Sequence, residues 1–204
     1  MRRHARLAPI LLVLVFQAAS HGQSLTREVF GSIAYGRLFR FEDNPIGGGP
    51  NFGAGIGLKH RSGLGFEMEL NRTLGLSAKP VPCGIVNVPC EGSARQGVTG
   101  ATIASANVRY EFSRERVRPY VTGGVGILRS AGLSARVDAT EQRAVFSEEK
   151  WSDTGLAINI GGGVRIGLTR ALSLRPEVRV YGASALSRAN LSLFRASLVL
   201  AWSW

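Results

Sequence analysis

Three histidines bound the hydrolytic chemistry open to this 204-residue chain. Serine-type cleavage needs a hydroxyl beside an imidazole base that a third group holds in place. His4 lies in a basic, apolar leader, His21 at its end, and His60 in the short turn His60-Arg61-Ser62-Gly63. None falls beside a serine in one of the chain's long connections, so no enzyme is expected. Two thiols, Cys83 and Cys90, fall short of the four ligands of a structural zinc site, with no histidine near them. In an exported chain an even cysteine count reads as a disulfide. Glu148 and Glu149 near Asp153 offer carboxylates to a cation, but acids in an exposed loop are ordinarily just solvated. The runs Gly53-Ala54-Gly55-Ile56-Gly57 and Gly161-Gly162-Gly163 suggest a nucleotide loop. Such loops need a helix directly after the glycines, and here an alternating pattern continues through them. Glycine that makes room on one face of a strand is the better reading, and no cofactor is expected. Asn71-Arg72-Thr73 and Asn190-Leu191-Ser192 match the glycosylation sequon by chance, one within a strand pattern and the other at a strand start.

The chemistry that remains is ion pairing. Lys59, Arg109, Arg165, Arg175, Arg179 and Arg195 fall on the polar side of alternating segments, and so do Glu67, Glu69, Glu111 and Glu177. Large side chains of both signs on one side of a sheet suit a shared, confined space in which they pair.

A β-sheet must position them. Apolar and polar residues alternate over eight segments, the period of a strand. These run from about Val29 to Leu38, Phe52 to Lys59, Leu64 to Asn71, Ala104 to Phe112, Pro119 to Leu128, Gly155 to Leu168, Leu172 to Tyr181 and Phe194 to Trp204. Three connections are tight: His60 to Gly63, Ser113 to Val117, and Thr169 to Ala171. Between them run longer ones, about Phe39 to Gly49, Ser77 to Gly97, Ser130 to Ser152 and Ala183 to Ala189. Short turns at one end and long loops at the other are the pattern of a membrane barrel. Cys83 and Cys90 fall in the second long loop among Pro80, Pro82 and Pro89, where a cross-link would restrain it.

Location follows from the first residues. Met1 to Arg6 is basic, Leu7 to Phe16 is apolar, and Ala18-Ala19-Ser20 supplies small residues where a signal peptidase cuts. Residues 1–20 are read as a cleaved signal peptide, with the cut before His21 or as late as before Gln23. The apolar run is too short to cross a bilayer, and no later stretch approaches the ~20 apolar residues a membrane helix needs. Removing the leader arginines Arg2, Arg3 and Arg6 from the formal +11 leaves +8. A basic excess suits nucleic acid or anionic lipid phosphates. Export excludes nucleic acid and leaves the lipid.

Alternation alone does not separate a soluble barrel, apolar inside, from a membrane barrel, apolar outside. Three features favour lipid: glycine crowded onto the polar face, charges of both signs there, and Tyr110, Phe112, Trp202 and Trp204 near strand ends as an interfacial girdle. The segment Arg118-Pro119-Tyr120-Val121-Thr122-Gly123-Gly124-Val125-Gly126, the segment Leu174-Arg175-Pro176-Glu177-Val178-Arg179 and the aromatic C-terminus carry a resemblance. The chain, over Thr26 to Trp204, resembles the small outer-membrane β-barrel family related to the OmpA transmembrane domain and its OmpX-like relatives. The resemblance implies an eight-stranded antiparallel up-and-down transmembrane β-barrel over residues 26–204, in the outer membrane of a Gram-negative-type bacterium. It also implies that the barrel-assembly machinery reads the last strand through Trp202 and Trp204, although Trp204 stands where phenylalanine is the more usual ending.

Eight strands enclose an interior just wide enough for side chains to fill. The ten charged residues from Lys59 to Arg195 are therefore expected to plug the lumen. The expected role is structural, in envelope integrity, with outer-membrane lipid and lipopolysaccharide as partners. A surface adhesin acting on an extracellular partner through the long loops is the alternative, and a narrow channel the third.

Overall fold

A computed structural model describes residues 25–40, 47–76, 78–81, 90–91, 94–113, 115–139, 144–185 and 191–204. The leader and Cys83 lie outside these residues. Eight long strands make up the fold: β1 (Thr26–Arg40), β2 (Gly47–Lys59), β3 (Leu64–Thr73), β4 (Arg95–Glu111), β5 (Val117–Ala139), β6 (Ala144–Gly167), β7 (Leu172–Ala185) and β8 (Leu191–Ser203). Two two-residue bridges, Lys79–Pro80 and Cys90–Glu91, lie between β3 and β4. Every long strand is antiparallel to both neighbours. Pairing of β8 with β1, from Glu28↔Ser203 to Arg40↔Leu191, closes the sheet.

The register fixes the shape of the barrel. Stepping from partner to partner, Arg37 leads through Phe194, Val180, Ile160, Gly123, Val108, Phe66 and Leu58 back to Arg27, ten residues away on the same strand. The shear is therefore ten for eight strands. Ten steps of ~3.3 Å against eight spacings of ~4.8 Å give a tilt of about 40° and a backbone radius of about 8 Å. Such a tube holds side chains and little else.

Alternation then sorts residues between two environments. Ile33, Leu70, Val125, Leu156 and Ile158 point outward and are exposed, and Ile160 is 72 % exposed. Glu28, Glu67, Arg109, Arg175, Arg179 and Arg195 point inward and are buried. A water-soluble sheet would do the reverse. From Leu156 on β6 to Leu168 just past its end, the outward residues rise about 40 Å along the chain at ~3.3 Å per residue, or about 30 Å along the barrel axis at that tilt. That height matches the hydrocarbon core of a bilayer.

The tight turns sit where the sequence places them. In the β2–β3 turn Gly63 has φ +96°, a left-handed conformation that favours glycine. Its N–H bonds to the His60 carbonyl, and its own carbonyl accepts from the Glu111 N–H.

The third long connection is different from its expected form. In place of a loop from Ser130 to Ser152, β5 and β6 stay paired from Ser130↔Asp153 up to Ala139↔Ala144. The alternation there is masked by charge, but backbone pairing continues because each strand supplies the other's hydrogen bonds. The second connection docks on this projecting hairpin. Cys90–Glu91 pairs in parallel with Ala144–Val145, and Ala94, Phe146, Val81 and Ala135 form a small apolar cluster. Arg95 donates to the Glu148 carboxylate through both its backbone N–H (3.0 Å) and its Nε (3.1 Å).

Those bonds hold the Glu148 carboxyl below its ordinary value of 4.5. A depressed carboxylate lends its stability above the ordinary value and loses it as pH falls through the lowered one. The protection factor of the Arg95 amide, its exchange rate divided into the intrinsic rate at each pH, is thus expected to fall on acidification through that range. In Glu148→Gln it should be low already at neutral pH and lose this acid step, as hydrogen exchange followed by mass spectrometry would register.

Candidate functional site in the lumen

Strand parity delivers the charges. On β3 the residues Glu67 and Glu69 face in; on β4, Arg109 and Glu111; on β6, Arg165; on β7, Arg175, Glu177 and Arg179; on β8, Arg195. Sequence separations between charges of up to 147 residues, that of Glu28 from Arg175, collapse to hydrogen-bond distance.

They form two tiers. In the tier nearer the termini, Arg109 bonds to Glu67 and reaches Glu28 (3.4 Å) and Glu111 (3.5 Å). Arg165 holds Glu28 (2.6 Å), Glu111 (3.4 Å) and the Ser203 hydroxyl (2.9 Å). Arg175 joins Glu67 (2.6 Å) to Glu28 (3.0 Å), and Lys59 closes on Glu111 at the mouth. In the second tier Arg179 bridges Glu69 (2.9 Å) and Glu177 (2.8 Å). Arg195 bridges the same two acids at 2.7 and 2.9 Å. Tyr120 donates its hydroxyl to Glu177 at 3.0 Å. Three guanidinium groups also lie over rings: Arg175 on Phe30 (4.8 Å), Arg195 on Tyr181 (5.6 Å) and Arg109 on Tyr120 (5.7 Å).

Two inward glycines make the crowding possible. A Cβ at Gly163 would come within 2.9 Å of the Tyr120 hydroxyl, and one at Gly161 within 2.9 Å of Arg179 Cα. The space that a side chain would take there is filled by the network.

Towards the loop end the lumen changes character. Small amides and hydroxyls come next: Asn51 donates to Thr73 (2.9 Å), and Asn159 to Asn107 (2.8 Å). Beyond them Leu38, Leu76, Val98, Ile103, Leu128 and Leu193 form an apolar cluster, with Trp151 packed against it. The lumen is thus charged at one end and oily at the other.

All ten expected lumen residues, Lys59, Glu67, Glu69, Arg109, Glu111, Arg165, Arg175, Glu177, Arg179 and Arg195, face the interior, with Lys59 only part-buried. Glu28 is a further lumen charge, outside the expected first strand because that segment began at Val29, three residues after the strand's true start at Thr26. Its signal was the parity it shares with Phe30 and Ser32, opposite the outward Val29 and Ile33. The apolar cluster was also missed, since Ile103 and Leu128 share a parity with Ser105 and Ser130 and look like exceptions in a one-dimensional pattern. Trp202 and Trp204 lie outside, more than half exposed. Of the cysteine pair, Cys83 falls outside the described residues and Cys90 is described in its backbone alone. His60 does meet a serine, its turn neighbour Ser62, at 2.9 Å. That contact closes the turn, with the Ser62 N–H also directed at Nδ1.

Breaking one partner of a buried ion pair costs about 3–5 kcal/mol, because a charge is left without compensation. Glu177→Ala strips a carboxylate from Arg179, Arg195 and Tyr120 together. Urea unfolding of the vesicle-inserted barrel should show a loss of that size. A midpoint equal to wild type would mean that the network carries no net stability.

No protein-family model matches the chain, and no curated protein matches it in sequence. Solved structures do match in fold. Neisserial surface protein A is 15% identical with a TM-score of 0.59, over 87% of this chain and 97% of that one. Ail, the attachment invasion locus protein of Yersinia pestis, solved with the heparin analogue sucrose octasulfate, is 11% identical with a TM-score of 0.54, over 89% and 99%. A major outer membrane protein from Thermus thermophilus is 12% identical with a TM-score of 0.53, over 86% and 99%. The chain has the fold of the small outer-membrane β-barrels.

Proposed function

We propose that the protein is a structural barrel of the Gram-negative-type outer membrane, exported by its leader, with both termini periplasmic and its lumen closed to ions. The observation that carries this reading is the filling of the lumen. Arg109, Arg175, Arg179 and Arg195 are essentially fully buried in a tube of about 8 Å radius, and an apolar cluster follows them. Lipid is the partner of the outer surface. Arg37, Arg72 and Arg129 point outward at the loop-side edge of the apolar belt, exposed and without a hydrogen bond or ion pair to another described residue. Arg72 pairs with Thr102, which pairs with Arg129, so the two arginines flank one hydroxyl on the outer face. Such a row suits lipopolysaccharide phosphates through charge-assisted bonds. The outward Trp202 and Trp204 suit recognition by the barrel-assembly machinery, and Cys83 with Cys90 suits a disulfide in the oxidising periplasm.

Purified wild-type protein in a planar bilayer should show no single-channel conductance, and discrete conductance steps would refute the closed lumen. On gels the same protein should migrate faster unboiled than boiled, the mark of a detergent-resistant barrel. Recovery in the soluble periplasmic fraction would instead overturn the membrane reading.

The projecting β5–β6 hairpin favours a second reading, a surface adhesin. It adds a paired platform beyond the belt, with the second connection docked on it. Replacing residues 131–152 by a short turn should leave the unboiled gel shift unchanged. If it abolishes binding of expressing cells to host matrix, the adhesin reading displaces the purely structural one.

A further inference from the structure

The two lumen tiers differ in charge balance. In the second tier Glu69 and Glu177 face Arg179 and Arg195, two against two. In the terminal tier Glu28, Glu67 and Glu111 face Arg109, Arg165, Arg175, Lys59 and Arg118, three carboxylates against five cations. The surplus gathers around a single acid. Glu111 takes Lys59, Arg109 (3.5 Å), Arg165 (3.4 Å) and Arg118 (3.6 Å) at once.

That surplus opens onto a cavity. A pocket of about 220 Å³ at the terminal mouth is lined by Thr26, Lys59, His60, Arg61, Ser113 and Arg118, with Glu111 in its wall. Its lining is rich in donors and poor in acceptors. Arg61 is exposed with no partner among the described residues, and His60 is engaged only through Nδ1, which leaves Nε2 open. The Lys59 ammonium uses one bond on Glu111. Arg118 donates from its Nε to the Glu115 carbonyl (2.6 Å) and leaves its terminal nitrogens to Glu111 and the pocket. The one carboxylate in the wall is already saturated by cations. We infer that this mouth is a binding pocket for a phosphate-type oxyanion, held between Lys59, Arg61 and Arg118 with His60 and the hydroxyls of Ser113 and Thr26 completing its shell.

Geometry selects a tetrahedral oxyanion over a planar carboxylate. The donors come from the start of β1, the β2–β3 turn and both sides of the β4–β5 turn, and so from several directions. Four oxygens can meet them where two coplanar ones cannot. Lys59 and Arg118 lie on the inward parity of their strands, so the pocket faces the aqueous mouth more than the bilayer. A free phosphate or a phospholipid headgroup from the adjoining leaflet carries the same group. The pocket belongs to the folded barrel in any bilayer, so it can fail while the outer-membrane reading stands, and the reverse.

The test is a titration of the full chain, refolded in dodecyl maltoside micelles whose headgroup carries no phosphate, with inorganic phosphate at constant ionic strength. The readout is the His60 ring resonance, assigned with His60→Gln. Phosphate should shift it saturably, and chloride should not. Arg61→Gln should weaken the apparent affinity roughly tenfold, the worth of one charge-assisted contact. Arg170→Gln, on the neighbouring β6–β7 turn outside the lining, should leave it as in wild type. A second sample in nanodiscs containing phosphatidylglycerol, with no added phosphate, separates the sources. A shift already present there identifies the lipid headgroup as occupant, whereas a shift only on adding phosphate identifies a soluble anion. A response that is linear and equal for phosphate and chloride, or an Arg61→Gln protein that titrates as wild type, would overturn the pocket.

Discussion

Closure of the sheet is the constraint on which everything else in this protein depends. In lipid no backbone N–H or C=O can be left open, so β8 must pair with β1 along nearly its whole length, from Glu28↔Ser203 to Arg40↔Leu191. Eight strands closed at a shear of ten leave a radius of about 8 Å. From that one dimension follow the glycines at positions 161 and 163 and the tiered order of the lumen. Every inward residue answers to a space that was fixed by backbone pairing.

Filling so narrow a space with arginine has consequences. Guanidinium groups are large, permanently charged and able to bridge two acids, as Arg179 and Arg195 both do between Glu69 and Glu177. Each bridge ties strands that are far apart around the barrel, since β3 carries Glu69 while β7 and β8 carry the bases. Desolvation opposes such bridges and mutual attraction offsets it only when every charge has a partner. The second tier satisfies this condition internally. The terminal tier exceeds it in positive charge, and there the lumen meets water.

The two ends of the molecule are built on different principles. Around the terminal mouth short turns keep the strands together and leave a polar opening among cations. At the other end the lumen is filled by Leu38, Ile103, Leu128, Leu193 and Trp151, and β5 and β6 carry on as a projecting hairpin. The apolar seal fills the lumen with hydrocarbon above the layer of amides and hydroxyls. The hairpin in turn is held by the segment around Ala94 and Arg95, which packs on Phe146 and bonds to Glu148.

The sequence by itself determined the strand count and the parity along the eight segments it marked, and hence the face taken by the ten charges on them. It did so because a strand has period two, a rule that acts between neighbours along the chain. It therefore placed Glu67, Arg109, Glu177 and Arg195 on one side of the sheet before any fold was known. It did not determine which of them meet. Arg165 finds Glu28 across 137 positions through the shear of the closed barrel, and no local pattern encodes shear. The extended hairpin escaped notice for a similar reason. Above Ser130 and Trp151, which still meet the lumen, its residues lie beyond the belt, so the alternation fades while the pairing persists. Only the tertiary structure decided the partners, the apolar seal and the uncompensated charge at the mouth, because each is a property of strands brought together around a circle.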